Sequence, residues 1–272
     1  MRGARLAVVV AGLVAVALSA SRPAQALPAY SRLYEGKYGY RPSCVVCHTA
    51  GGGSTVTDYG RDFLRAGANF GAYAKVEGAD SDGDGARNLD EIQARSDAGD
   101  ARSTPAKPGD WLADALKVPV PTDQLKKLFP DAEGFTALEG TLSAAQVATV
   151  EQRTGAKLDD EDRLPTFYFA VKGGKKVAVA QYVSARSPKG PISLAVAMDT
   201  GATVTGVRVL KNPGPKAIEA ADFLAQFRGK RPGDGLVVGK DLQMAAGAED
   251  ASREVAVAVA KAIAIIQAVF GR

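Results

Sequence analysis

Histidine is all but missing from these 272 residues: His48 is the only one. Cysteine is nearly as scarce, with Cys44 and Cys47, and a single tryptophan stands beside three methionines. Three nitrogen and sulfur side chains are too few for a structural zinc site, which wants four. No basic patch with interleaved aromatics is present, so nothing points to nucleic acid. No acid–base pair typical of substrate turnover stands out. The most apolar late segment, Val255 to Phe270, contains Lys261 and Gln267 and is too short and polar to span a membrane.

The scarce residues are gathered in one pentapeptide, Cys44-Val45-Val46-Cys47-His48. Two cysteines three apart with histidine next is the spacing of c-type haem attachment. Each thiol can add to one vinyl group, and the following imidazole then lies under the iron as axial ligand. A thioredoxin-like dithiol is the first rival, but no strand-to-helix pattern leads into the pair. A lone structural disulfide beside a chance histidine is the plainer alternative. With one histidine, a haem held by two imidazoles of the same chain is excluded.

The sixth iron position is left open. Met198 and Met244 fall in stretches that read as strand and loop far along the chain. Nearer candidates are Lys37, Lys75, a tyrosine or the amino group of Leu27, and an open position is equally compatible.

Residues 1–26 read as an export signal, with Arg2 and Arg5, the apolar run Leu6 to Leu18, and the small-residue site Ala24-Gln25-Ala26. Its loss removes Arg2, Arg5 and Arg22 and no acid, so the formal net charge falls from +4 to +1. The expected location is periplasmic or otherwise exported, where thioether attachment takes place. No transmembrane span is expected once the signal is gone.

Asp80-Ser81-Asp82-Gly83-Asp84-Gly85-Ala86-Arg87-Asn88-Leu89-Asp90-Glu91 has the EF-hand loop pattern, with oxygen ligands at positions one, three and five, Gly at six and Glu at twelve. Asp80, Asp82 and Asp84 would offer carboxylates, Ala86 its carbonyl, Asn88 a held water and Glu91 both oxygens. No helix with a convincing apolar face precedes Asp80, so structural calcium is expected rather than a sensor pair. A solvated acidic turn without metal is the alternative. Asp58 to Ala66 reads as a helix after the flexible Gly51-Gly52-Gly53.

Lys37-Tyr38-Gly39, the pentapeptide, Tyr59-Gly60-Arg61-Asp62-Phe63 and the calcium loop together resemble a type of small monohaem cytochrome module, over less than a quarter of the chain. Six of the eight tyrosines lie here: Tyr30, Tyr34, Tyr38, Tyr40, Tyr59 and Tyr73. Flat rings with a polar tip suit packing on a macrocycle.

Residues 97–109 have linker composition, dividing a module at 27–96 from a domain at 110–272. One or two short helices are expected over Trp111 to Phe129. Ser143-Ala144-Ala145-Gln146 is a capping box opening a helix to Thr154, with Gly155 as its stop. Phe167 to Lys172 and Val177 to Val183 flank Gly173-Gly174 as a hairpin, and Ile192 to Asp199 with Thr203 to Leu210 form a second. Ala217 to Phe227 and Val255 to Phe270 have helical spacing. The expected fold is a mostly α small haem c module with an EF-hand-like calcium loop, followed by an α+β domain.

In that second part, Leu128-Phe129-Pro130-Asp131-Ala132, Gly173-Gly174-Lys175, Ile192 to Leu210, Asn212-Pro213-Gly214 and Ala246-Gly247-Ala248 resemble, in order and spacing, the FMN-binding domain of Rnf-type and sodium-translocating quinone reductase subunits and of NosR-like regulators. The resemblance implies a flavin site with Asn212, Gly214, Gly247, Ala248 and Ser252 near it. Glu249 stands where the family has its flavinylated threonine, so any FMN would be non-covalent; a flavin-free docking domain is the alternative. The combined expectation is an electron-transfer protein rather than an enzyme, with redox proteins or a membrane respiratory complex as partners. A haem-based sensor of small ligands is the competing expectation.

Overall fold

The computed structural model describes residues 28–49, 55–116 and 118–271; the export signal, the Leu27 amino group and the Gly51-Gly52-Gly53 stretch lie outside the described residues. Five strands form one antiparallel sheet in chain order: β1 (Gly134–Glu139), β2 (Thr166–Lys172), β3 (Lys175–Ala185), β4 (Ile192–Asp199) and β5 (Val204–Lys211). The β2–β3 turn uses Gly173 and Gly174 at φ 56° and 70°. A type I′ two-residue hairpin turn puts both central residues in that left-handed region, which glycine enters without strain. Alternation sorts the strands' two faces. Leu194, Val196 and Met198 point to one side, while Ala195 pairs with Tyr182 on the other.

The first face is covered by two helices, α6 (Ala144–Thr154) and α8 (Glu249–Phe270). The predicted capping box opens α6: Ser143 Oγ accepts from the Gln146 amide and Gln146 returns the bond, while Gly155 ends the helix at φ 66°. Helix α8 starts six residues earlier than the apolar spacing of Val255 to Phe270 suggests, because Glu249 and Asp250 fill its first turn, where carboxylates are favoured. Lys261 in α8 is buried and pairs with Asp162 at 2.7 Å, clamping the helix to the loop before β2.

The second face carries Tyr168, Ala180, Tyr182 and Ala195, covered partly by Leu125 of α5 (Thr122–Leu128). Beside it stand four short helices: α1 (Pro28–Tyr38), α2 (Asp58–Arg65), α3 (Phe70–Val76) and α4 (Asn88–Ala94). Their centre is aromatic, with Phe63 and Tyr73 stacked at 4.5 Å and Tyr34 meeting Tyr38, Tyr40 and Tyr73 edge-on. The expected helix at Ala217 to Phe227 is broken: a 3-10 turn at Lys216–Glu219 is followed by α7 (Ala221–Ala225), with Ala220 extended between them.

The expected fold class is corrected here. The described chain is α+β, with eight α-helices around one five-stranded sheet, and no separate small all-α haem module is evident. The reason is that the first helices are bonded to the sheet. Arg32 donates to Gly140 O at 2.7 Å, Tyr30 to Glu161 at 2.8 Å, and Arg41 pairs with Glu139 of β1 at 3.0 Å. Nor does the 97–109 stretch run free, since Ala98 is fully buried and Asp97 and Ser103 are nearly so.

Candidate functional site

The pentapeptide is built as a tight turn. Cys44–Val46 form one 3-10 turn, the Val46 amide donating to Ser43 O at 3.3 Å and the His48 amide to Cys44 O at 3.0 Å. Thr57 fixes it from outside: its hydroxyl donates to Val46 O at 2.7 Å and its amide to Cys47 O at 3.0 Å. The same hydroxyl caps α2 by accepting from the Gly60 amide at 3.1 Å. Two glycines allow this approach. A Cβ at Gly60 would lie 2.4 Å from Cys47 O, and one at Gly99 would lie 2.3 Å from Val46 O.

Both cysteines and His48 line a single cavity with an empty volume of about 1150 Å³, its open mouth included. Rings of Tyr30, Tyr34, Phe63 and Tyr73 form one wall; Glu139, Ser184, Ser193 and Lys211 stand on the sheet side. Burial pushes the Cys47 thiol up to about 12, with Asp97 and Cys44 adding to the effect. A redox-active dithiol has a lowered value, the opposite of this shift. Two sulfurs, one imidazole and an aromatic wall in one space fit a covalently held macrocycle.

Of the expected tyrosines, Tyr38, Tyr40 and Tyr59 do not line this cavity. The lining hydroxyls are already engaged: Tyr30 with Glu161, Tyr34 with Tyr40, and Tyr73 with the Tyr30 carbonyl. Burial pushes the pKa of all three hydroxyls up and keeps them protonated. The other candidates for the sixth position lie elsewhere. Lys37 pairs with Glu77 at 3.1 Å, Lys75 donates to Ala66 O at 3.0 Å, Met198 is in the core under α8, and Met244 borders a groove beside α7.

The acidic loop brings three of its carboxylates together. Carboxylate oxygens of Asp80, Asp82 and Asp84 lie within 4.8 Å of one another. Gly83 and Gly85 take φ of 80° and 95°, letting their amides turn back onto the Asp80 carboxylate. Glu91 is fully buried and its Oε2 has no hydrogen-bond partner; one Asp82 oxygen is likewise buried and unpaired. Burial, then Asp82 and Asp84, push the Glu91 carboxyl up to about 8, and burial with its acidic neighbours takes Asp82 to about 6. Orphaned buried oxygens facing other carboxylates are what a cation would relieve. Ala86 is in the loop, but Asn88 is a clamp: its side chain accepts from the Ser81 amide and donates to Val76 O. Contrary to expectation, short helices flank the loop, α3 before it with Tyr73 and Val76 buried and α4 after it.

The residues expected near a flavin are engaged with their own neighbourhoods. Ser252 is buried, donates to Ala248 O at 2.7 Å and accepts from the Ala245 amide at 3.0 Å. Asn212 is spent within its own turn, on Gly214, Pro215 and Glu219. Next to Gly247 and Ala248, the start of α8 already carries Glu249 and Asp250. None of the five lines the cysteine–histidine cavity.

Glu139, Ser184, Ser193 and Lys211 had no signal in the sequence; strand pairing alone brings them to the pentapeptide. No protein-family profile matches the chain, and no curated protein matches it. Among the described residues, no helix is long and apolar enough to cross a membrane.

Proposed function

We propose that this is an exported, periplasmic electron-transfer protein carrying one covalent haem c, with calcium stiffening the Asp80–Glu91 loop and a redox protein or membrane respiratory complex as partner. The observation that carries the reading is the convergence of both cysteines and the sole histidine on one ring-lined cavity. When bound, the haem supplies a reversible one-electron change at iron. Cys44 and Cys47 would hold the ring, each adding a thiol S–H across one vinyl group without net oxidation. His48 would hold the iron through its imidazole. Tyr30, Tyr34, Phe63 and Tyr73 would pack against the ring and keep water from it.

The test is protein matured in a host that attaches haem c. Colour that stays with the acid-precipitated protein, is lost in Cys44→Ala/Cys47→Ala, and reduces reversibly supports the proposal. Colourless protein with two reactive thiols ends it. The same precipitation reports on FMN, since any flavin would appear in the supernatant.

A second reading, a sensor of small ligands, draws on one observation. None of Lys37, Lys75, Met198 and Met244 lines the cavity, so those candidates leave the sixth position open. Carbon monoxide shifting the Soret band of the reduced protein favours this reading; a six-coordinate, indifferent spectrum counts against it.

A further inference from the structure

The sheet wall of the cavity has a feature that neither the pentapeptide nor the ring cluster uses. Ser184 of β3 pairs with Ser193 of β4, and Ser193 pairs with Lys211 of β5. The three therefore form one row across three strands, and all three line the cavity. Tyr168, Ala180, Tyr182 and Ala195 share their face of the sheet, with Arg208 opposite Ala195 and Glu139 opposite Thr166.

Lys211 reaches that face through an irregularity. The β4–β5 register shifts between Ser193 and Leu194: Leu194 opposes Val209, yet Ser193 opposes Lys211. The extra residue is a β-bulge, a device that re-aims a side chain. Strict alternation would have sent Lys211 away from Leu210, which packs on the cavity side of the sheet.

The Ser184 hydroxyl is buried and meets no full hydrogen bond, though it lies beside the Glu161 carboxyl, which Tyr30 holds. Lys211 forms no ion pair among the described residues. Arg41, the other cation lining the cavity, is already held by Glu35 and Glu139 at 3.0 Å each. Two hydroxyl donors and an ammonium in one row want a carboxylate.

We propose that Ser184, Ser193 and Lys211 form a carboxylate cradle that receives the propionate edge of the macrocycle anchored at Cys44 and Cys47. The inference rests on the haem reading above. It adds an orientation, with the thioether edge on the helices and the carboxylate edge on the sheet. It also gives the sheet a role in tuning the iron, because a cation beside the propionates disfavours the oxidised, more positive centre.

The experiment is spectroelectrochemistry of the full-length haem-loaded protein and its variants Lys211→Ala, Lys211→Arg and Ser184→Ala/Ser193→Ala. The cradle predicts a lower midpoint potential in Lys211→Ala and in the double serine variant. It predicts a near-native potential in Lys211→Arg, with the Soret band and spin state unchanged in all three. Unshifted potentials in folded variants overturn it. A change of spin state in both Lys211→Ala and Lys211→Arg also overturns it, by making the lysine an iron ligand. If the parent protein holds no covalent haem, the underlying reading fails as well; a coloured parent with unshifted variants sinks the cradle alone.

Discussion

A methyl group at Gly60 would lie 2.4 Å from the Cys47 carbonyl oxygen, which is backbone and cannot swing aside. Helix α2 would gain roughly 0.5–1 kcal/mol from alanine there, but overpacking typically costs about 1–3 kcal/mol. Gly60→Ala should therefore lower the melting temperature and, on the haem reading, the haem-to-protein ratio, both readable in one absorbance-monitored melt. Glu91 makes a different case. Its carboxyl is raised to about 8 by burial and by Asp82 and Asp84, so the folded chain holds its proton more tightly than the unfolded chain does. With calcium chelated, the stability this contributes is full below the unfolded carboxylate range and is lost as pH rises through about 8. Denaturant titrations at pH 5 and pH 9 should show that fall, calcium should reverse it, and Glu91→Gln should shrink it to the part that Asp82 and Asp97, each raised to about 6, contribute. The Glu at position twelve was legible from the loop pattern. The clamp role of Asn88 was not, because spacing says nothing about whether an amide turns toward the ion or into the core.

Among the elements, those with local signals were read best. The capping box set α6, and the glycine pair set the β2–β3 hairpin. Strand β1 and helix α1 carried no such signal. β1 mixes exposed and half-buried positions at the sheet's edge, and the buried face of α1 shows only once α3 and Phe63 are packed on it. The apolar stripe of α8 was legible, but its internal lysine read as mere polarity. In the fold Lys261 is only 7% exposed and bonds Asp162, whose carboxyl is pushed up by burial and pulled down by that lysine. Lys261→Ala leaves Asp162 buried and alone, a loss of about 3–5 kcal/mol by urea unfolding. Lys261→Met together with Asp162→Leu should recover most of it, since a buried pair and an apolar pair of like volume are often nearly equivalent.

For the whole molecule, the boundary at 97–109 was inferred from composition, and composition cannot show that Asp97, Ala98 and Ser103 would be buried. Nor could it show that Arg41 would bridge Glu35 to Glu139 of β1 from a side chain only 14% exposed. These contacts make the cavity a seam, with a wall from the helices and a wall from the sheet, so neither part completes it alone. A seam of this kind predicts shared unfolding. Trp111 reports on the helical side, where its indole donates to Arg95 O at 2.8 Å and its ring packs against the Val46 and Tyr59 cluster. Far-UV circular dichroism reports on the sheet and α8 as well. In urea the two probes should give one midpoint, and Arg41→Ala should move both together, because removing the arginine strands Glu139 against the cavity wall. Two separate midpoints would instead describe two independent units joined by a tether, and the cavity between them would then be too loosely held to position a cofactor within the tolerance that electron transfer between fixed centres requires.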